Sequence, residues 1–219
     1  EVSAAYSCWP DIQFITGTRL RRRATDGECT SIMDEHCHIL NWGWSTAPFS
    51  GARCGVQIRM LKRRFCLRHI AAVCSPPSSI QGRVGGVMLR SGRFHLACFV
   101  VYLPPRPSVA RKFSAYQRTI KEILAWLNKT CSELPARASI VFGGDINDYA
   151  GIWMANTIVQ DPSPVGPVYP AQEHNAMTQL RDFMDQYNLC LLSTFMGGQN
   201  TFYGNNANTR IDYLGGPRS

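Results

Sequence analysis

The sequence has 219 residues, of which 45% are hydrophobic and 17% are charged, and its formal net charge is +8. This length and apolar content allow one large α/β domain or two small ones, with a sizeable core. No run of about 18 apolar residues occurs, which excludes a membrane-spanning helix, and nine cysteines without a paired spacing favour a reducing interior over a disulfide scaffold.

Apolar runs predict a series of strands in the first half of the chain. They cover residues 10–15, 56–60, 68–74, 83–89 and 94–102. Val56, Ile58 and Met60 alternate with polar residues, which is typical of a strand with one buried face. Residues 94–102 are apolar on both faces beyond His95, as in the centre of a sheet. Residues 24–54 are mixed in composition and give no assignable pattern.

The second half of the chain alternates helices with strands. Apolar residues at three- and four-residue steps predict helices over residues 113–131 and 177–187. Strands are predicted over 139–145 and 189–195, and a last strand pair, 200–203 with 210–214, is joined by turn-forming residues 204–208. Because the composition shows no break and no repeat, the sequence predicts a single α/β domain over residues 1–219.

Polar side chains stand in or directly after several of the predicted apolar strands. They are Tyr102, Asp145, Asn147, Thr201 and Asp212. Residues two apart in an extended segment point the same way, so we expect Asp145 and Asn147 to face one common site. A carboxylate beside a carboxamide suits the handling of a phosphate and of the water that attacks it. The alternative is that each side chain only satisfies local backbone groups in a turn.

Several segments, taken in order, are similar to the motifs of a known family. The matching segments are Val101-Tyr102-Leu103-Pro104-Pro105, Gly143-Gly144-Asp145-Ile146-Asn147, Thr201-Phe202, Arg210-Ile211-Asp212-Tyr213 and, more loosely, residues 10–20. On these segments the chain resembles the endonuclease/exonuclease/phosphatase superfamily, the group of exonuclease III and deoxyribonuclease I. It is most similar to the endonuclease domains of non-LTR retrotransposons. The resemblance implies a four-layer α/β sandwich, with two packed, mostly antiparallel sheets flanked by helices.

The resemblance also implies a role for each matched polar residue. Asp145 aligns or deprotonates the attacking water, or protonates the leaving oxygen. Asn147 hydrogen-bonds the scissile phosphate, and Tyr102 donates its hydroxyl to that phosphate or to the leaving group. Asp212 orients a catalytic histidine and sets its tautomer.

A substrate-lining set and a divalent ion complete the site that the resemblance implies. The set consists of Thr201, Phe202 and Arg210. The ion is Mg²⁺, with Mn²⁺ as the alternative, and it offsets charge that develops on the phosphate during hydrolysis.

Two features depart from the family pattern. At the position of the family's metal-binding glutamate this chain has Gly17, and the nearby Asp11, Asp26 and Glu28 do not match that position. The family's general-base histidine follows Asp212, whereas all five histidines of this chain precede it. We therefore interpret the chain as a domain that lacks the first and the last strand of the family.

The positive charge favours a polyanionic partner, although a basic surface with no specific role is an alternative. Together with the resemblance, it predicts a divalent-metal-dependent phosphodiesterase, a DNA-nicking endonuclease derived from a retroelement. We expect an intracellular, nuclear protein that needs no membrane and no obligate protein partner. Two alternatives stay open: a non-catalytic nucleic-acid binder, and a phosphatase that acts on a small or lipid phosphoester.

Overall fold

The computed structural model describes residues 10–21, 28–44, 54–148, 175–195, 202–203, 208–209 and 212–218. Several residues of interest lie outside this part of the chain, namely Asp26, His174, Thr201 and Arg210. For Phe202 only the strand assignment of the backbone is described. The predictions for these residues therefore stay predictions.

Four antiparallel strands form the smaller of two main sheets. They are β1 (Ile12–Thr16), β2 (Thr30–Ile32), β3 (Cys37–Trp42) and β4 (Val56–Leu61). Their order across the sheet is β1-β4-β3-β2. The predicted strands at 10–15 and 56–60 are thereby confirmed. The strands β2 and β3 lie in the region that gave no readable pattern, because Cys, His and Trp interrupt its apolar alternation.

The larger sheet has six strands. They are β5 (Ile70–Cys74), β6 (Val84–Ser91), β7 (Phe94–Tyr102), β8 (Ser139–Asp145), β9 (Leu189–Leu191) and β12 (Asp212–Pro217). Their order is β5-β6-β7-β8-β12-β9, and neighbours are antiparallel except for β7 and β8, which run parallel. The sheet confirms the predicted strands at 68–74, 83–89, 94–102 and 139–145.

The helix α1 (Phe113–Ser132) provides the crossover that two parallel neighbours require. Its predicted apolar stripe is buried, at Tyr116, Ile120, Ile123, Leu124, Leu127 and Cys131. This stripe packs in one cluster with the outward face of β7 and β8 and with α2 (Asn175–Gln186). Both predicted helices are confirmed, and together they cover one face of the larger sheet.

The opposite face of the larger sheet packs against the smaller sheet. Fully buried side chains from both sheets, including Trp42, Ile58, Met60 and Val100, form this second core. Phe14 of β1 crosses the interface and lies against β8 at Gly143. The side chain of Tyr102 joins the same cluster. The edge of this core is therefore where the polar residues at the ends of β7 and β8 emerge.

The predicted strand at 189–195 is only partly correct. The strand β9 ends at Leu191, and residues Leu192–Phe195 form a short helix, α3. The reason is local, because the Thr194 hydroxyl donates a 2.6 Å hydrogen bond back to the Leu191 carbonyl and the chain turns. An apolar run of seven residues does not by itself distinguish a strand from a strand followed by a helical turn.

The predicted pairing of the last two strands is only partly correct. The strand β10 (Phe202–Tyr203) pairs with β11 (Asn208–Thr209). The strand β12, expected as the partner of residues 200–203, instead inserts between β8 and β9. The sequence identified the strand from its apolar residues, but alternation carries no information about which neighbour a strand chooses. This insertion brings Asp212 next to Asp145.

Two packed, mostly antiparallel sheets with helices confirm the predicted α/β sandwich. Among the helices of the described ranges, none is long and apolar enough to cross a membrane. Every cysteine that the structure describes is a free thiol. The helices α1 and α2 both lie on the larger sheet, so the described part of the chain supplies three of the four expected layers.

Candidate active site

Three of the predicted site residues form a row across adjacent strands. Tyr102 at the end of β7 is the register partner of Asp145 at the end of β8, and Asp145 is in turn the partner of Asp212 at the start of β12. Partners in register present their side chains on the same face of a sheet. The row therefore faces the smaller sheet at one edge of the interface. We call Tyr102, Asp145, Asp212 and the adjoining Asn147 the strand-end row.

Asn147 joins the row through a tight turn. Its backbone N–H donates to Asp145 Oδ1 at 2.9 Å, and its Nδ2 donates to the Leu103 carbonyl at 2.8 Å. Its φ of +53° lies in the left-handed region, which Asn tolerates. The Leu103 N–H donates to the Asp145 carbonyl at 3.0 Å, so both strand ends are tied together. Asp145 and Asn147 are thus neighbours because the chain turns, whereas extended alternation was expected.

The pKa of Asp145 is unusually high for a carboxyl group. Burial raises the pKa of Asp145 to about 7, and the neighbouring Asp212 carboxylate adds to this rise. Hydrogen bonds with Asn147 and the charge of Arg83 offset part of the effect. The pKa of Tyr102 is also raised, first by burial and then by the charge of Asp145. At neutral pH, Asp145 therefore exchanges a proton readily, while Tyr102 keeps its own.

Arg83 is a member of the site that the sequence did not single out. Its backbone carbonyl accepts a 2.7 Å hydrogen bond from the Tyr102 N–H, and its guanidinium lies over the Tyr102 ring, 4.9 Å from the centroid. Its Nη1 is buried and donates to no acceptor within the described residues. In the sequence, Arg83 is recognisable only as a cation directly before a buried strand. This position indicates a role in the site only when it is known which strand lies beside it.

The sequence did not single out Asp148 either, and the role of this residue is structural. It is 5% exposed, and its Oδ2 accepts a 3.1 Å hydrogen bond from the Met177 N–H in the first turn of α2. A carboxylate at this place satisfies a free helical N–H and favours the positive end of the helix dipole. Asp148 therefore anchors α2 to the turn that carries Asn147.

The structure describes no carboxylate at the position expected for a metal ligand. Gly17 follows β1 with a φ of +66°, and the next residue, Thr18, donates its N–H to the Gly55 carbonyl at 3.1 Å. Asp11 lies before β1 and pairs with Arg64 at 3.3 Å. In the described ranges no three His, Cys, Asp or Glu side chains form a group that could hold a metal ion. The family's metal site, as the resemblance implies it, does not fit these residues.

The described histidines lie away from the strand-end row. His95 stands near the start of β7 and Tyr102 at its end, which separates them by about 23 Å at the usual rise per strand residue. His36 and His38 lie at the start of β3, and His69 directly precedes β5. Asp212 therefore lies beside Asp145, and none of the described histidines lies near Asp212, although the resemblance implies a histidine there.

Comparison with known proteins identifies the fold. No protein-family model matches the sequence, and no curated protein sequence matches it. Among solved structures, it is similar to the AP endonuclease LMAP from Leishmania major, with 13% identity, a TM-score of 0.63, and coverage of 98% of this chain and 72% of that one.

Two further solved structures share the same arrangement. An AP endonuclease from Archaeoglobus fulgidus has 14% identity and a TM-score of 0.58, over 94% of this chain and 76% of that one. The 3′ phosphatase NExo from Neisseria, bound to a product DNA hairpin, has 13% identity and a TM-score of 0.53, over 99% of this chain and 80% of that one. The resemblance drawn from the sequence is thereby confirmed at the level of the fold.

Proposed function

We propose that this chain is a phosphodiesterase of the endonuclease/exonuclease/phosphatase superfamily, that it nicks DNA, and that it derives from a retroelement. The observation that carries the proposal is the row of Tyr102, Asp145 and Asp212 across three adjacent strands, with Asn147 bonded to it. The net charge of +8 supports a polyanionic substrate. The AP endonucleases and the DNA-bound phosphatase with the same fold support DNA. The proposed retroelement origin rests on the similarity of the sequence motifs to those of non-LTR retrotransposon endonucleases.

Asp145 is the proposed acid–base group. A catalytic acid or base works best when its pKa lies near the working pH, and the pKa of Asp145 is raised to about 7. In the carboxylate form it takes a proton from the attacking water, or in the protonated form it gives a proton to the leaving oxygen. The water and the leaving oxygen lie on opposite sides of the phosphorus, so these two roles are alternatives. Both forms are well populated at neutral pH.

Asn147 and Tyr102 are the proposed phosphate-binding donors. Asn147 donates one amide hydrogen to the Leu103 carbonyl, and its side chain also hydrogen-bonds with Asp145 and Tyr102. A phosphate oxygen would therefore take the second amide hydrogen in exchange for one of these contacts. The raised pKa of Tyr102 keeps its hydroxyl protonated, so it stays a donor. One donor at a strand end and one in the adjoining tight turn stabilise the charge that develops on the phosphate without reorganising.

Asp212 has a different proposed role from the one that the resemblance implies. It lies beside Asp145 and raises the pKa of that carboxyl group. It is exposed, so it can also interact with groups that approach from solvent. We therefore assign Asp212 to the tuning of Asp145.

Mg²⁺, or Mn²⁺ in its place, is proposed as the cofactor from the resemblance. Gly17 supplies no ligand for it, and the described ranges hold no group of three metal-binding side chains. The roles above accordingly use this chain's own side chains. The experiment therefore compares Mg²⁺, Mn²⁺ and the absence of divalent ions.

The test is a plasmid-nicking assay with purified protein in Mg²⁺, in Mn²⁺ and in EDTA. We expect the full chain to nick supercoiled DNA in at least one of the two ions, and Asp145→Asn to reduce the rate by about 10²–10⁴-fold, as loss of a general acid or base does. Asp182→Asn is the matched control, because Asp182 is exposed on α2 and the change in charge is the same. No nicking by the wild-type chain at high concentration in either ion overturns the proposal.

A non-catalytic DNA binder is the second candidate, and Gly17 favours it. A chain without the family's metal ligand can keep the scaffold and the basic surface. This candidate predicts salt-sensitive DNA binding that is equal in Mg²⁺ and in EDTA. It also predicts that Asp145→Asn and Asp182→Asn bind DNA alike. A nicking activity that depends on Asp145 excludes it.

A further inference from the structure

A wide groove lies beside the strand-end row. It encloses about 860 Å³ between the segment that leads into β6, the proline turn after β7 and the first turns of α1. Gln81 and Arg83 line one wall, and Arg111, Lys112, Arg118 and Glu122 line the other. Its volume lies in the upper part of the range for pockets that bind drug-sized ligands.

The groove is strongly basic. Four cations, Arg83, Arg111, Lys112 and Arg118, line it against the single carboxylate of Glu122. Arg111, Lys112 and Arg118 are exposed. A concave surface lined by charges of one sign raises the local concentration of ligands of the other sign. The groove therefore suits an anionic ligand.

The basic residues stand at the start of α1, where they weaken the helix. Lys112 is the N-cap residue and makes no side-chain cap, and no acidic residue lies in the first turn. The N-terminus of a helix is its positive end, so cations there are unfavourable and anions favourable. An anion bound in the groove would be stabilised by the helix end as well as by the side chains.

Arg83 connects the groove with the strand-end row. It lines the groove, and its guanidinium also lies over the Tyr102 ring. Its charge lowers the pKa of Asp145 and of Tyr102, which places it electrostatically close to both. Its buried Nη1 donates to nothing in the described ranges. The groove and the strand-end row therefore share this side chain.

We propose that this groove binds the sugar-phosphate backbone of the DNA strand that continues from the cut phosphate, an inference that rests on the proposed function. Lys112 and Arg118 are six residues apart on α1, a distance of about 9 Å along the helix axis. Successive phosphates of one strand can contact both side chains without bringing their charges together, whereas a single phosphate has to draw them together. The groove thereby favours a polynucleotide over a small phosphoester.

The first test is DNA binding by two double variants in EDTA. Arg111→Gln with Lys112→Gln removes two charges from the groove. Arg90→Gln with Arg93→Gln removes two exposed charges from the β6–β7 turn, at the opposite end of the sheet from Tyr102. The probe is a fluorescent single-stranded oligonucleotide. We expect the groove variant to bind about 10–100-fold more weakly and its salt slope to fall by about 1.4, for two contacts to a single strand. We expect a change below about threefold in the turn variant.

Equal weakening of both variants, or no weakening of either, overturns the proposal, because binding then follows net charge or another surface. Thermal melting of both variants checks that they fold. Arg118→Gln is a milder groove variant for use if the double variant melts early. It is expected to lower the salt slope by about 0.7.

The second test separates this inference from the proposed function. Wild type and groove variant are compared on plasmid DNA and on bis(4-nitrophenyl) phosphate, a diester too small to span the groove. We expect the groove variant to lose plasmid nicking and to keep hydrolysis of the small diester. If no form cuts either substrate but the groove variant alone binds DNA weakly, the groove stands and the proposed function fails. If the variant nicks and binds as the wild type does, the groove proposal fails.

Discussion

At the scale of single residues, burial of Asp145 lowers the stability of the fold when its carboxyl group ionises, and it also suits the proposed acid–base role. Burial and the Asp212 carboxylate raise its pKa to about 7. The folded chain therefore holds this proton more tightly than the unfolded chain, in which the pKa is about 3.9. Stability from this group is complete below about pH 4 and is lost as the pH rises through about 7.

Asp145→Asn is thus expected to raise the free energy of unfolding at pH 8 and to leave it nearly unchanged at pH 4. One pKa unit corresponds to about 1.4 kcal/mol, but the side chain is partly exposed, and solvent reduces the gain to about 1–2 kcal/mol. Urea denaturation in EDTA at both pH values measures the difference. Asp182→Asn is the control for the change in charge alone. A loss of stability that is equal at both pH values contradicts the raised pKa.

Asp212 makes a second prediction at this scale. Removing its charge with Asp212→Asn should lower the pKa of Asp145, since the Asp212 carboxylate is the second largest cause of the rise. Side-chain carboxyl NMR through a pH titration measures the pKa directly. If the chain nicks DNA, the acidic limb of its pH–rate profile should shift to lower pH in the same variant. An unchanged titration of Asp145 would show that burial alone sets its pKa.

At the scale of the elements, the glycine pair at the end of β8 sets how closely three strands approach. A Cβ on Gly143 would lie 2.5 Å from the ring of Phe14 in the other sheet, and one on Gly144 would overlap the Val101 carbonyl of β7. The first glycine thus lets the sheets pack, and the second lets β7 and β8 pair up to the strand-end row.

Gly143→Ala is expected to destabilise the fold by about 1–3 kcal/mol, the usual cost of overpacking. Phe14→Leu removes the ring that the new methyl meets, so the double variant should lose less than the sum of the two single variants. A double-mutant cycle by urea denaturation measures this coupling. Additive losses would place the strain somewhere other than the contact between Phe14 and β8.

The sequence predicted most elements, but it missed β2 and β3, whose composition is mixed, and it failed where strand pairing decides. Periodicity located α1 and α2, as well as the strands that carry Tyr102 and Asp145, because apolar spacing reflects burial. It did not place β12 between β8 and β9, since strand order is a tertiary choice. The resemblance identified the residues of the strand-end row. The structure added Arg83, which is recognisable only once β6 is known to lie beside β7.

At the scale of the whole molecule, the distribution of charge matters more than its sum. The formal net charge of +8 predicts attraction to any polyanion. The groove concentrates four of these cations beside the strand-end row. The fold thereby brings the basic start of α1 towards the acidic residues at the end of β8 and the start of β12, although these segments are distant in the chain. Under the proposed function, charge attraction and chemistry would then act on one strand of DNA.

DNA should therefore stabilise the folded chain even where no bond is cut. A ligand present at 100 times its dissociation constant adds about 2.7 kcal/mol to the free energy of unfolding, which corresponds to roughly 5–10 °C in Tm for a protein of this size. We expect this rise with an oligonucleotide in EDTA at low salt, and its loss near 0.5 M salt as the phosphate contacts are screened. Inorganic phosphate at the same phosphate concentration should shift Tm far less, because it cannot span the groove. A shift that persists at high salt, or one that phosphate reproduces, would mean that charge attraction along a strand is not what holds DNA to this chain.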